Sequence, residues 1–301
     1  MKLRRTLYLF LFCLLIAGLV LLLLRKTATP PAVAEEDTPH PRIVSLAPST
    51  TETLCMLGLE NHLVGVSRFC DYPPTVKELP NVGGLTDVDI EAIVRLRPDL
   101  VVAPRPQLRA RETLTKLGIE VLTVDQETLS QIYDSAWIIG EALGRSEVAT
   151  AWLAEIDAII ASAAAEILPE EQRPTVLISV GRDPASFERV YIAGHDTFYE
   201  QALEAVGGRN AYRGATPYPM LSAEGIVLLN PDIIIDIIPS TDDQPATDES
   251  NAAVVSQWGS IPGLRAVKAG RVYIITETWA VRPGPRIGFL IQRLAEIVAE
   301  K

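Results

Sequence analysis

The stretch IEAIVRLRPDLVVAP (Ile90–Pro104) recurs 133 residues later in the chain as AEGIVLLNPDIIIDI (Ala223–Ile237). In each copy a glutamate, Glu91 or Glu224, opens a short apolar segment that ends at a Pro-Asp pair. A run of branched apolar residues follows the pair. The spacing of the copies exceeds that of solenoid repeats, whose units are about 20 to 50 residues long. The two copies therefore predict two similar lobes.

Each copy predicts a helix, a tight turn and a buried strand. Asp89 and Ser222 stand where helix N-caps are expected, which places both glutamates in a first helical turn. The Pro-Asp pair ends the helix, because the residue before a proline disfavours helical backbone. Leu100–Val102 and Ile233–Ile235 are apolar without alternation, as in strands covered on both faces. Strands and helices alternate along the chain, so we predict an α/β fold with mostly parallel sheets flanked by helices.

One long helix is predicted between the lobes. Ser146–Leu168 is rich in alanine, isoleucine and glutamate and contains no glycine or proline. A helix of about 23 residues spans about 35 Å and is stiff, so we expect small lobe movements. The predicted units are an N-terminal segment (1–40), a first lobe (41–145), the interlobe helix (146–172) and a second lobe (173–301).

The N-terminal segment predicts export and tethering. Thr6–Leu24 is uncharged, rich in leucine and long enough to cross a bilayer. The basic residues before it favour a cytoplasmic N-terminus. A cleaved signal peptide usually has a shorter apolar core. We therefore expect an uncleaved anchor in the cytoplasmic membrane, with Ala32-Val33-Ala34 as the alternative cleavage site. Thr27–His40, with three prolines and three acids, predicts a flexible tether.

The exported part is acidic. The chain has 27 basic and 38 acidic residues, and five of the basic ones lie in the first 34, which hold no acid. The remainder thus has 22 basic residues and a net charge of −16. This argues against a nucleic-acid partner, which needs a basic patch.

The cysteines and histidines predict no metal site. Cys55 and Cys70 lie in the exported part, where a disulfide and two free thiols are both compatible with an oxidising compartment. No cysteine–histidine spacing is typical of zinc binding. We expect neither a metal nor a cofactor.

Several motifs in this order resemble the substrate-binding proteins of cobalamin and iron-siderophore ABC importers, and within them the cobalamin-binding branch. The motifs are the repeat and the stretches Arg42–Leu59, Val64–Pro74, Ala193–Tyr212 and Arg282–Arg286. The resemblance implies two α/β lobes joined by a single long helix, with the ligand in the cleft between them. It also implies a monomer that delivers a corrinoid to an ABC permease dimer with its ATPase subunits.

The resemblance suggests a role for the repeated glutamates. In this family one glutamate on each lobe docks against arginines of the permease, and by position these are Glu91 and Glu224. Two carboxylates at a fixed separation suit a two-fold symmetric partner. The alternative is that each glutamate only complements the positive end of its own helix.

The resemblance also places a ligand site on loops at the inner edges of the lobes. A corrin is a broad apolar disc with amides at its rim, so flat aromatic rings suit its face and a few polar groups its edge. The candidates are Phe69, Asp71, Tyr72, Arg105, Tyr218, Trp279 and Arg282. Two departures concern the ligand and the anchor. Gly83-Gly84 stands near the place of a tryptophan in well-known cobalamin binders, and the lipid-anchoring cysteine is absent.

Three other functions compete with corrinoid transport. A ferric siderophore would use several pocket arginines, and haem would need a tyrosine or histidine ligand such as Tyr72 or His195. An enzyme is disfavoured, because the sequence offers no nucleophile–base pair, phosphate loop or metal cluster. A sensor or scaffold without a transporter is the third alternative.

Overall fold

The structure is a computed structural model that describes residues 41–164, 167–183, 186–240 and 245–300. The predicted membrane anchor, cleavage site and tether therefore lie outside the described residues. Within the described ranges, no helix is both long and apolar enough to cross a membrane.

The first sheet is fully parallel and has four strands. Its order is β2-β1-β3-β4. The strands are β1 (Ile43–Ser45), β2 (Leu63–Val66), β3 (Leu100–Pro104) and β4 (Glu120–Val124). The helices of this lobe are α1 (Pro48–Met56), α2 (Ile90–Leu96), α3 (Leu108–Lys116) and α4 (Leu129–Ala142). The wholly buried middle of β3 confirms a strand covered on both faces.

The second sheet is mixed. Its main path is β10-β9-β5-β6-β8, and β7 pairs with β5 off this path. The strands are β5 (Thr175–Arg182), β6 (Val190–Ile192), β7 (Arg209–Asn210), β8 (Met220–Leu221), β9 (Ile233–Ile237) and β10 (Val272–Ile275). The helices are α6 (Phe198–Ala205), α7 (Ala223–Leu229), α8 (Asp248–Trp258), α9 (Arg265–Lys268) and α10 (Ile287–Ala299). β6 is antiparallel to both of its neighbours, while the other pairs are parallel. The α/β fold of two sheets flanked by helices is as predicted.

The repeat forms the same unit in both lobes. The carboxylate of Asp89 accepts from the Ala92 backbone at 2.8 Å, and the Ser222 hydroxyl accepts from Gly225 at 3.4 Å, which confirms both N-caps. Each helix has seven residues and ends at a non-glycine residue in the left-handed region.

The aspartate of each Pro-Asp pair ties the unit to its sheet. Asp99 accepts from the backbone of Arg42 at 2.7 Å, just before β1. Asp232 accepts from the backbone of Thr175 at 2.9 Å, at the start of β5. Both pairs are separated by 57 residues and join parallel neighbouring strands, β3 to β1 and β9 to β5. The sequence repeat is thus a structural repeat.

The interlobe helix α5 (Ser146–Ala164) is shorter than predicted. It has 19 described residues, and residues 167–169 are not helical, so the predicted helix end at Leu168 is wrong. The physical reason is Pro169, since the residue before a proline is driven away from helical backbone.

One apolar core joins the lobes through this helix. Trp152 and Ile156 of α5 pack with Ile132 of α4 and with Leu290 and Ile291 of α10 in a single buried cluster. The proposed domain boundaries remain predictions. Each lobe also has buried clusters of its own, so this shared cluster is the part of the core that joins them.

Two further details complete the fold. Helix α8 begins at Asp248, in a polar and acidic part of the sequence. Thr247 and Ser250 cap that helix reciprocally, a capping box that the acidic composition concealed. Among the described residues Cys55 and Cys70 are both free thiols, which decides the alternative left open by the sequence.

Candidate functional site

A large cavity of about 1100 Å³ opens between the inner loops of the two lobes. Residues 66–72, from the last residue of strand β2 into the loop that follows it, line one side. Residues 239–240, Pro245 and the loop from 277 to 286 line the other. The walls belong to loops that follow the carboxyl ends of parallel strands, where α/β proteins usually bind ligands.

Aromatic side chains face this cavity from both lobes. Phe69 and Tyr72 are 59% and 45% exposed, so both rings are accessible to a ligand in the cavity. Trp279 belongs to a 3-10 turn (Thr278–Val281) and is partly buried, with its ring 6.1 Å from that of Phe289. Aromatic rings therefore line both walls, exposed in the first lobe and partly buried in the second.

A buried carboxylate organises the cavity floor. The side chain of Glu52 on α1 is 1% exposed and accepts two hydrogen bonds from Arg286, at 2.8 and 2.6 Å. It also accepts from Arg282 at 3.2 Å. The two arginines belong to the second lobe, so these bonds cross between the lobes.

Arg282 continues the network to the first-lobe loop. Its guanidinium forms a bidentate pair with Asp71 and donates to the Phe69 carbonyl at 3.3 Å. Burial alone would raise the pKa of Asp71, but the hydrogen bond and charge of Arg282, with the charge of Arg286, hold it below its usual value. Burial likewise opposes the charge of Arg282, while Asp71 and Glu52 raise its pKa, so the pair stays ionised.

Arg286 also fixes an aromatic wall. Its guanidinium carbon lies 4.1 Å from the centre of the Tyr72 ring, a cation–π contact. The Tyr72 ring therefore packs against the Arg286 guanidinium, which Glu52 positions.

A second cavity of about 390 Å³ adjoins the first, and Val281 lines both. Tyr218 contributes a ring that is 37% exposed, and burial raises the pKa of its phenol to about 12, so the phenol is neutral at physiological pH. Arg105 also lines this cavity and forms a bidentate pair with Asp125. The hydrogen bond from Arg105 lowers the pKa of Asp125.

The seven predicted ligand residues fall into these two neighbouring cavities. Phe69, Asp71, Tyr72, Trp279 and Arg282 line the larger, and Arg105 and Tyr218 line the smaller. Their role in binding remains a prediction.

Sequence reasoning missed Glu52 and Arg286. Glu52 lies inside the stretch Arg42–Leu59 and Arg286 ends the stretch Arg282–Arg286, but their pairing links positions 234 residues apart. A glutamate in the first turns of a helix is expected to be exposed to solvent. Only the fold shows that Glu52 is buried. The signal is an acid buried beside two arginines that are distant from it in the sequence. Only the structure reveals that signal.

The repeated glutamates lie in neither cavity. Glu91 on α2 is 90% exposed at its side chain, and Arg95 approaches it to 3.7 Å one turn later. Glu224 on α7 is exposed, and the Ser222 hydroxyl lowers the pKa of its carboxyl. Both carboxylates are accessible to a partner.

Two α/β lobes on one connecting helix, with a ligand-sized cavity between their inner loops, define a two-lobed binding protein. The sequence profile of the periplasmic binding protein family matches residues 43–278. The chain belongs to this family.

Relatives of this chain have been named for what they bind. It is 33% identical over 264 residues, 85% of this chain and 79% of the relative, to an uncharacterized ABC transporter substrate-binding lipoprotein of Bacillus subtilis. It is 32% identical over 269 residues, 86% of this chain and 69% of the relative, to a cobalamin-binding protein of Halobacterium salinarum.

A solved structure is similar over nearly all of its own length. The periplasmic heme-binding protein of Roseiflexus sp. RS-1, in its apo form, matches with a TM-score of 0.70 and 26% identity. The match covers 86% of this chain and 97% of that one. The relatives therefore include proteins named for cobalamin and for heme.

Proposed function

We propose that the chain is the extracytoplasmic substrate-binding component of an ABC importer, and that it captures a corrinoid and delivers it to a membrane permease. Membership in a family of binding proteins supports binding rather than catalysis. Relatives named for ABC transport and for cobalamin support the transporter type and the ligand class.

The observation that carries the ligand class is the size and lining of the larger cavity. Pockets for drug-sized ligands occupy roughly 300 to 1000 Å³, whereas this cavity measures about 1100 Å³. Two exposed aromatic rings on one wall and the partly buried ring of Trp279 on the other suit a broad, flat, largely apolar ring. A corrinoid has that shape and size.

The charges of the cavities favour a ligand without strong negative charge. Four arginines line the two cavities, and each already pairs with a carboxylate: Arg68 with Asp87, Arg105 with Asp125, Arg282 with Asp71 and Glu52, and Arg286 with Glu52. An anionic siderophore would have to break such pairs to recruit an arginine. This supports a corrinoid over a ferric siderophore.

Haem is the second candidate, and Tyr72 is the residue that favours it. Its ring is exposed in the cavity and rests on a cation, and a tyrosine can ligate haem iron. The other sequence candidate, His195, lines neither cavity, and its ring pairs with Glu200 at 3.1 Å. Of the two sequence candidates for haem ligation, only Tyr72 lines a cavity.

The ligands can be separated on the purified full-length chain. Cyanocobalamin, haemin and a ferric catecholate siderophore are each added, and the melting temperature and visible spectrum are recorded. Corrinoid capture predicts a rise in melting temperature with cyanocobalamin, smaller in Phe69→Ala but retained in Tyr191→Ala. Tyr191 is a matched control, since its ring is 46% exposed but lies outside both cavities. Stabilisation by haemin alone, with a spectral change lost in Tyr72→Phe, would replace the corrinoid with haem.

Delivery is tested separately from capture. The double variant Glu91→Ala, Glu224→Ala is expected to bind ligand like wild type and to lose permease-dependent uptake. Unchanged uptake in this variant would remove the docking role of the two glutamates.

A further inference from the structure

Helices α2 and α7 carry Glu91 and Glu224, the two glutamates proposed to dock on the permease. Their exposed faces are nearly identical and differ at one position. On α2 the exposed face carries Glu91, Val94 and Arg95; the glutamate and arginine are 90% and 68% exposed at their side chains, and the valine 42% overall. Residues three and four positions apart share a helix face, so these side chains form one patch.

On α7 the equivalent patch carries Glu224, Val227 and Leu228. The valine is 38% exposed, close to its counterpart. The leucine is 86% exposed, more than any other large apolar side chain in the described part of the chain. The caps, lengths and left-handed ends of the two helices agree, so the contrast between Arg95 and Leu228 is a difference of surface and not of fold.

The two patches would contact equivalent surfaces of a symmetric partner, but one carries an arginine where the other carries a leucine. A carboxylate of this chain docks onto a cation of the partner. Beside Glu91, the positive charge of Arg95 repels that cation, and Arg95 also pairs with the Glu91 carboxylate. At Glu224 the neighbour is an apolar side chain, which gains free energy when a partner covers it. Val227 and Leu228 are neighbours in the chain and both exposed, so together they offer apolar surface that such a partner can cover.

Building on the proposed function, we infer that the Glu224–Leu228 patch is the principal anchor on the permease. Its counterpart on the membrane protein is an arginine or lysine beside an apolar depression. The Glu91–Arg95 patch makes a weaker contact with the equivalent surface of the second permease subunit. The two lobes thus bind a symmetric partner with unequal strength.

The repeat supplies a matched experiment, because each position can be given the residue of the other copy. Full-length Arg95→Leu and Leu228→Arg are purified in detergent. Their affinities are measured for the cobalamin-type ABC permease of the same cell, reconstituted with its ATPase subunits in nanodiscs. Both positions are exposed and helical, and Leu and Arg have similar helix propensity, so both variants are expected to fold.

We expect Leu228→Arg to weaken the complex by about tenfold and Arg95→Leu to tighten it, since covering a leucine side chain is worth at least that factor. Val255→Arg, at an apolar position of α8 that is 39% exposed, controls for the added charge and should leave the affinity unchanged. Glu224→Ala should cost more affinity than Glu91→Ala.

The outcomes separate this inference from the proposed function. If the glutamate variants lose affinity equally and neither exchange alters it, the unequal anchor is wrong while docking stands. If the glutamate variants bind like wild type, or wild type forms no complex, the docking that the inference rests on is wrong as well.

Discussion

Glu52 is the residue on which the cavity floor depends most. Its side chain is 1% exposed and bonds Arg282 and Arg286, whose side chains are 12% and 13% exposed. Buried ion pairs contribute little net stability compared with apolar packing, but losing one partner leaves the others uncompensated. The role of Glu52 is therefore to position two arginines, and through them Asp71 and Tyr72.

Glu52→Gln should destabilise the protein by about 3 to 5 kcal/mol, because the nearly buried guanidinium of Arg286 loses its charged partner and that of Arg282 keeps only Asp71. Urea unfolding of the full-length chain measures this difference. Glu155→Gln, at an exposed position of α5, is the control and should change little. A loss in Glu52→Gln no larger than in the control would contradict the role of Glu52.

Asp71 gives the floor a pH dependence. Its pKa is lowered in the folded protein, so its contribution to stability is complete above the ordinary carboxyl value of 3.8 and is lost as the pH falls through the folded value. The difference in unfolding free energy between wild type and Asp71→Asn should therefore be constant near neutral pH and shrink below 3.8. Denaturant unfolding at a series of pH values measures it. A difference that grows on acidification would reverse the assigned sign.

At the scale of the elements, the repeat was the most predictive feature of the sequence. Its helices, both N-caps and both buried strands follow from local chemistry: cap residues, a Pro-Asp stop and unbroken apolar runs. The 57-residue link from each aspartate to the preceding strand did not follow, because it depends on which strands become neighbours. The same limit hid the pairing of Glu52 with Arg286.

The repeated aspartates should be comparably important for stability. Asp99→Ala and Asp232→Ala each remove a carboxylate that accepts a backbone N–H at a strand start, and hydrogen bonds to charged groups are worth about 1.5 to 3 kcal/mol. Chemical denaturation of the two variants measures the losses, with Asp134→Ala at an exposed position of α4 as the control. A loss confined to one lobe would show that the two units are not energetically equivalent.

At the scale of the whole molecule, the lobes are tied together at several points beside the cavity. Leu129 donates its backbone N–H to Gln201 at 2.8 Å, and Phe198 donates to the Glu127 carbonyl at 2.8 Å. The Trp152 indole of α5 donates to the Pro285 carbonyl at 3.1 Å. With the shared apolar core, these bonds support the sequence-based expectation of small lobe movements.

Ligand binding should therefore leave the overall dimensions almost unchanged. The radius of gyration from solution X-ray scattering is expected to shift by less than about 1 Å on saturation with the ligand that stabilises the chain, as in other pre-organised binding proteins. The detergent-solubilised full-length chain is compared with and without ligand. A contraction of several ångströms would indicate a hinge that the shared core does not predict.

Uptake of radiolabelled cyanocobalamin by living cells tests capture and delivery together. Cells that lack this chain but retain the permease are complemented with wild type, with Phe69→Ala, or with Glu91→Ala, Glu224→Ala. The account predicts that wild type restores uptake at limiting cyanocobalamin, that Phe69→Ala restores it only in part, and that the double glutamate variant does not restore it although its cavity is intact. Equal uptake with and without the wild-type chain would contradict the central claim that this protein feeds a corrinoid to an importer.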